Sequence, residues 1–291
     1  MAVRRLGTVV RRPLVLDTDS GVDDAIAVLV AVASLEVDLR AVTIVYGNVS
    51  LEQATDNALR VLALAGADHV PVAAGADHPL AGPWVPRPES PHRPDGLGGH
   101  ELPPAKRMTE GAAAVEFLAD LLRDSPTPVT VCALGPLTNI AHLIGSHPDA
   151  AVRIGRLVTM GGSYGGGAME PGADFNVDAD SKAAQHVLES GLPITRVSLD
   201  ITESVRMDAE RVSRIAASGP VGMAVASMLT GRLDRPNFGY RSPSGHGVPL
   251  HDAVAVLEAI RPGMVVRADN DLDVSVVLAE IEARLCSYGR D

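Results

Sequence analysis

The chain has 291 residues, 46% of them hydrophobic, and a formal net charge of -11. That is enough apolar material for the core of one large α/β domain, and a single domain over 1–291 is the expectation. The negative balance argues against binding nucleic-acid backbone, which needs clustered Lys and Arg. No run of about 18 uncharged apolar residues occurs, so no membrane partner is expected either.

Apolar runs alternate with helix-period segments along the chain, the pattern of a mostly parallel central sheet flanked by helices. The first unit is a strand over 13–16, an acidic loop and a helix over 24–33. A strand over 41–45 leads through Tyr46-Gly47-Asn48-Val49 to a helix opened by Ser50. Gln53 stands at capping-box spacing, and Gly66 closes that helix. After a strand over 70–73, residues 75–104 are crowded with Pro and Gly and lack periodicity, which marks a functional or a disordered loop, expected to overhang the site; His92 lies in it. A helix over 110–123 precedes a strand over 129–133 and the turn Leu134-Gly135-Pro136-Leu137-Thr138-Asn139. A strand over 156–160 runs into a glycine-rich loop and then Asp174-Phe175-Asn176. Asp180 caps a helix ending at Gly191, followed by a strand over 194–199 and helices over 208–230. A second irregular loop, near 231–250, ends at His251-Asp252, where a helix over 253–260 begins.

The first twelve residues carry basic side chains but no apolar signal core, so a cytoplasmic location is expected. Cys132 and Cys286 lack any metal-ligand spacing and read as ordinary thiols. In each unit the unusual polar residues sit just after a strand. Ligands of open α/β sheets bind outside the carboxyl ends of the strands, so these residues are expected to converge on one crevice there, the active site.

The most informative segment is Asp17-Thr18-Asp19-Ser20-Gly21-Val22-Asp23-Asp24-Ala25, with four carboxylates between an apolar strand and an apolar helix. Like charges held so close need either protons or a bound cation, and hard oxygen ligands favour calcium or magnesium over zinc or copper. An EF-hand loop fits at Asp17 and Asp19 but fails at Val22, where Gly is needed, and at Val28, where a bidentate Glu is needed. The aspartyl nucleophile of a haloacid-dehalogenase-like phosphatase also follows a strand as Asp-x-Asp. That pattern expects Thr or Val at Gly21 and a phosphate-steadying lysine, of which only Lys106 and Lys182 exist. Helix capping explains one Asp and leaves the others. Taken singly, Asn48 reads equally as a turn residue, His251-Asp252 as a solvated histidine beside an N-cap, and His92 as a surface residue.

In combination, the acidic loop, Gly47-Asn48-Val49, residues 92–98, Ala133 to Asn139, Met160-Gly161-Gly162, Phe175-Asn176 and Leu250-His251-Asp252-Ala253 resemble the calcium-dependent, inosine-uridine-preferring nucleoside hydrolases. The resemblance spans nearly the whole chain. It implies hydrolysis of the N-glycosidic bond of ribonucleosides or related ribosyl compounds by a calcium-bound water. It further implies that Asp19, Asp24, Asp252 and the Leu134 carbonyl hold Ca2+, with Asp17 behind them. Asp19 is then the general base and His251 the acid for the leaving base. Asp23, Asn48, Asn176 and Asp252 grip the ribose, Met160 lines the floor, and His92 lies in the loop closing over the base. A homodimer or homotetramer is implied as well.

Three positions depart from the family pattern. Asp174 stands where a Glu is common and Ala168 where an Asn is common, both associated with the ribose 5′-hydroxyl, so weaker recognition at that end is expected. Ser20 replaces a usual proline, expected to alter loop stiffness more than chemistry. Trp84, Phe238 and Tyr240 lie in the two loops that could reach a base. A noncatalytic nucleoside- or ribose-binding homologue is the second reading, and the phosphatase the third.

Overall fold

The computed structural model describes residues 11–86, 90–162, 174–233, 247–267 and 272–289. Ala168, Phe238 and Tyr240 lie outside them. The chain runs β1 (Arg12–Thr18), α1 (Val22–Val32), β2 (Val37–Ile44), α2 (Leu51–Leu64), β3 (Val72–Ala74), α3 (Ala114–Asp124), β4 (Val129–Ala133), α4 (Thr138–Ser146) and α5 (Pro148–Ala151). It continues with β5 (Ile154–Met160), α6 (Phe175–Ala179), α7 (Ser181–Leu188), β6 (Ile194–Val197), α8 (Leu199–Thr202), β7 (Arg206–Met207) and α9 (Ala209–Ala216). Last come α10 (Pro220–Leu233), β8 (Val248–Pro249), α11 (His251–Ile260), α12 (Val274–Leu285) and a 3-10 turn, Cys286–Gly289.

The main sheet has the order β3-β2-β1-β4-β5-β6, with every described pairing parallel. Its strands are buried on both faces, which is why they read in the sequence as apolar runs without alternation. Leu14 and Leu16 face a core shared with α1, α2, α10 and α11, while Val15 faces a second core with α3, α4 and α7. β7 and β8 form a small antiparallel ribbon. Chain order reverses between β1 and β4, so the switch point, where such sheets open a crevice, lies between the acidic loop and Leu134.

The predicted α/β architecture is present, with local differences. α4 begins at Thr138, within the expected turn, and continues through residues not assigned from sequence, and α12 follows the last helix assigned from sequence. The 208–230 stretch is two helices, because Gly219 adopts φ +131 and Pro220 starts a new one. Ser50 accepts the Gln53 backbone N–H as predicted, but the Gln53 side chain turns to Asn57 instead of back to the cap. His251 and Asp252 are the first residues of α11 rather than the end of a loop.

α1 and α11 are both buried along nearly their whole length and pack together, which fixes their first turns beside the sheet. The far end of α11 is anchored by Glu258, 1% exposed, whose carboxylate accepts the N–H groups of Gly263, Val265 and Val266 and pairs with Arg156 on β5. Removing one partner of a buried charge pair leaves the other uncompensated and costs about 3–5 kcal/mol. Glu258→Ala is therefore expected to lower unfolding free energy by about that amount in urea melts; a loss under about 1 kcal/mol contradicts this role.

Candidate active site

Each carboxylate of the acidic loop is held differently. Asp17 is fully buried and faces the sheet's second side, where its Oδ1 accepts from Thr43 Oγ1 at 2.6 Å and Asn139 Nδ2 at 2.8 Å. Burial pushes its pKa up to about 6 against these two hydrogen bonds. Asn139 also donates to the Ile44 carbonyl and accepts the Ala76 N–H. Asp17 thus fastens the ends of β1 and β2 to the start of the long loop and α4.

Asp19 projects into the crevice. Its oxygens accept the Asn48 backbone N–H at 2.7 Å and the Asn48 side-chain amide at 3.1 Å. The loop around it allows no extra atoms: Gly47 lies directly against the carboxylate, and a Cβ on Gly135 would come within 3.1 Å of Asp19 Cβ. Gly135 follows Leu134, so the Leu134 peptide abuts Asp19 from the β4 side.

Asp24 sits at the centre. Thr18 Oγ1 donates to it at 2.5 Å, the Gly21 N–H at 2.8 Å and the Asn48 amide at 3.3 Å. Asp23, Asp24 and Asp252 bring carboxylate oxygens within 4.8 Å of one another. Asp19 adjoins the same cluster through Asp24. Asp24 and Asp252 face each other closely enough to share a hydrogen bond. Two ionised carboxylates cannot make that contact, so a proton or a cation between them is required. Burial, then the neighbouring carboxylates, pushes Asp19 and Asp252 well above the usual carboxylate range and Asp24 above it as well. An all-oxygen donor set that repels itself fits a hard divalent ion.

Asp23 differs from its neighbours. Burial works to raise its pKa, but Arg232, His92 and His251 outweigh it and hold the carboxyl below its ordinary value. Arg232 Nη1 lies 3.1 Å from Asp23 Oδ1. This arginine, in the last turn of α10, is a site residue with no local sequence signal, since only the tertiary fold brings it to the acidic loop. His92 Nδ1 accepts the Val22 N–H at 3.0 Å and so caps α1, whose own N-cap residue is Gly21. It also lies 3.6 Å from Asp23 Oδ1.

His251 opens α11, with Nδ1 2.7 Å from Thr202 Oγ1 and Nε2 3.9 Å from Glu203 Oε2. Burial pushes its pKa down to about 4; Asp23 opposes this, and Arg232 and Arg206 add to it. The histidine is therefore neutral at physiological pH.

On the β4–β5 side, Asn176 donates to the carbonyls of Leu134 at 2.5 Å and Met160 at 3.3 Å. The predicted site residues Leu134, Met160 and Asn176 are thereby brought together. Asp174 is placed beside them but is turned inward: its oxygens accept the Gly162 N–H at 2.7 Å and the Val177 N–H at 3.0 Å, capping α6. Trp84 donates to the Gly47 carbonyl at 3.3 Å, at the rim near Asn48. Ser20 adopts φ +52, a region proline cannot enter.

A doubly wound sheet with a buried acidic cluster at its switch point defines a small-molecule enzyme of the metal-assisted type. The chain belongs to the inosine-uridine preferring nucleoside hydrolase family, whose model matches residues 14–287. It is 39% identical over 254 residues to the pyrimidine-specific ribonucleoside hydrolase RihA of Citrobacter koseri, covering 86% of this chain and 80% of that protein. RihA of an Enterobacter species is 38% identical over 261 residues, covering 88% and 82%. Among solved structures, the purine-preferring ribonucleoside hydrolase from Gardnerella vaginalis superposes with a TM-score of 0.87 at 28% identity, covering 96% of this chain and 99% of that one. The protein is a nucleosidase, hydrolysing ribonucleosides to ribose and free base. Family membership displaces the phosphatase reading, and the relatives named as hydrolases favour an enzyme over the noncatalytic binder.

The raised pKa values of Asp19, Asp24 and Asp252 mean that the folded chain keeps protons that the unfolded chain loses above about pH 4. Their contribution to metal-free stability is complete at low pH and is lost as pH rises through the folded values. A divalent cation takes the place of those protons. The increase in Tm on adding calcium is therefore expected to be larger at about pH 8 than at about pH 5; equal increments, or the reverse order, contradict the cluster's role.

Proposed function

We propose that this enzyme cleaves pyrimidine ribonucleosides in preference to purine ones, using a calcium ion held by Asp19, Asp24, Asp252 and the Leu134 carbonyl. The observation that supports the site assignment is the meeting of Asp24 and Asp252, with Asp23, between the first turns of α1 and α11, and the Asn48 amide that bridges Asp24 to Asp19. When bound, the cation lowers the pKa of a coordinated water and takes the vicinal ribose hydroxyls as ligands.

Asp19 accepts the proton of the attacking water. The two hydrogen bonds from Asn48 fix its orientation. Asp23, kept ionised by Arg232, accepts from a ribose hydroxyl, and a charged acceptor makes the stronger bond. Asn48 and Asn176 take the remaining ribose hydroxyls, and Met160 packs under the sugar. These contacts favour the flattened, oxocarbenium-like ring over the ground state.

His251 meets the leaving base as a neutral donor. In the tautomer where Nδ1 accepts from the Thr202 hydroxyl, 2.7 Å away, the imidazole proton is on Nε2 and can be offered to the base as negative charge develops there. His92, fixed on the start of α1, borders the base end. A cytoplasmic homodimer or homotetramer belongs to the same proposal, supported by the family resemblance.

Pyrimidine preference is supported by the relatives at 38–39% identity, both named as pyrimidine-specific, against 28% for the purine-preferring structure. At the 5′ end, both Asp174 oxygens are occupied by backbone N–H groups, so the ribose 5′-hydroxyl gains little from this side chain. A panel scored by ribose release is expected to give kcat/KM at least about tenfold higher for uridine than inosine, and within about tenfold for uridine and 5′-deoxyuridine. Faster inosine cleavage contradicts the base assignment, and a loss beyond about 100-fold on removing the 5′-hydroxyl contradicts the account of Asp174.

A further inference from the structure

Asn57 lies on α2, away from the carboxylate cluster, yet it is 2% exposed and every polar atom of its side chain is engaged. Its Oδ1 accepts from Gln53 Nε2 at 2.9 Å. Its Nδ2 donates to two backbone carbonyls: Asp95 at 2.8 Å and Ser20 at 3.3 Å.

Those two carbonyls belong to the two segments that build the site. The Ser20–Gly21 peptide is held at both ends, its carbonyl by Asn57 and its N–H by Asp24 Oδ2 at 2.8 Å. A peptide polarised at its oxygen is a better donor at its nitrogen, so Asn57 acts on the Asp24 carboxylate through one intervening amide. The Asp95 carbonyl belongs to a tightly turned segment. Within it the Gly96 N–H donates to Arg93 O at 3.1 Å and the Gly98 N–H to His92 O at 2.9 Å, so Asp95 and His92 move together. Gly96, at φ +77, packs so closely that a Cβ would fall 2.7 Å from Asn57 Nδ2 and 3.0 Å from Ser20 O. On the opposite side Gly98 and Gly231 of α10 touch backbone to backbone.

We propose that Asn57 is a positioning residue that ties the segment carrying His92 to the peptide that orients Asp24, so that metal binding and docking of that segment are coupled. The inference rests on Asp24 being a metal ligand. Groups that orient metal ligands from behind are worth about 10–100-fold in metal affinity when removed. Asn57→Asp keeps the side chain's shape and removes the donor.

The test is a calorimetric titration of calcium into the chelator-treated full chain, wild type against Asn57→Asp, with circular dichroism to check folding. Asn57→Leu, which also removes the donor and adds no charge, carries the same comparison if the Asp variant does not fold. The expected result is a calcium Kd raised about tenfold or more in the Asp variant, and KM for uridine raised at saturating calcium with kcat changed less than about threefold. Combined with His92→Ala, the effect on KM is expected to be less than the product of the single effects. An unchanged calcium Kd, with or without a lowered Tm, overturns the proposal, as does strict multiplicativity with His92→Ala. Wild-type chain that releases no ribose overturns the hydrolase reading alone, since the calcium titration still decides the role of Asn57; wild-type chain that takes up no calcium overturns both.

Discussion

The structure is organised around the difficulty of keeping several buried carboxylates side by side. Two unit charges about 4 Å apart repel by about 4 kcal/mol at an effective dielectric near 20, and burial adds a desolvation cost. The fold reduces this penalty by assigning donors. Asp17 takes Thr43 and Asn139, Asp19 takes Asn48, Asp24 takes Thr18 and the Gly21 N–H, and Asp23 takes Arg232. What remains is the approach of Asp24 to Asp252, which calls for a proton or a cation.

Topology makes this arrangement available. Reversal of chain order between β1 and β4 opens the crevice, and the buried helices α1 and α11 deliver their first turns to it. The N-terminal end of a helix carries partial positive charge from unpaired N–H groups, so Asp23, Asp24 and Asp252 sit where helix dipoles favour anions. Glu258 and Arg156 secure the opposite end of α11, so packing far from the site contributes to holding Asp252 in place.

Much of this was legible in the sequence because it depends on local pattern. The strands read as short apolar runs, and the polar residues after each strand mark the crevice. The charge density of the acidic loop alone marks it as a candidate cation site. Other features depend on pairing across the chain and leave no local mark. Arg232 looks like an ordinary residue near a helix end until α10 is packed against the acidic loop, and Thr202 gains its importance only from the ring of His251. Asp174 was legible as a site-adjacent carboxylate, but its inward turn to cap α6 is a choice of rotamer that residue identity does not encode. The turn after β4 was legible from Gly135 and Pro136, whereas α4, which starts within two residues of that turn's end, was not assigned.

The central claim is that side chains from the two ends of the chain, with a strand-end carbonyl between them, surround one divalent ion. Diffraction from crystals grown with calcium tests it most directly. The account predicts a single ion per chain with oxygens of Asp19, Asp24, Asp252 and the Leu134 carbonyl at about 2.3–2.6 Å. An ion bound elsewhere, or a cluster that stays closed on itself through a shared proton while calcium is in excess, contradicts it.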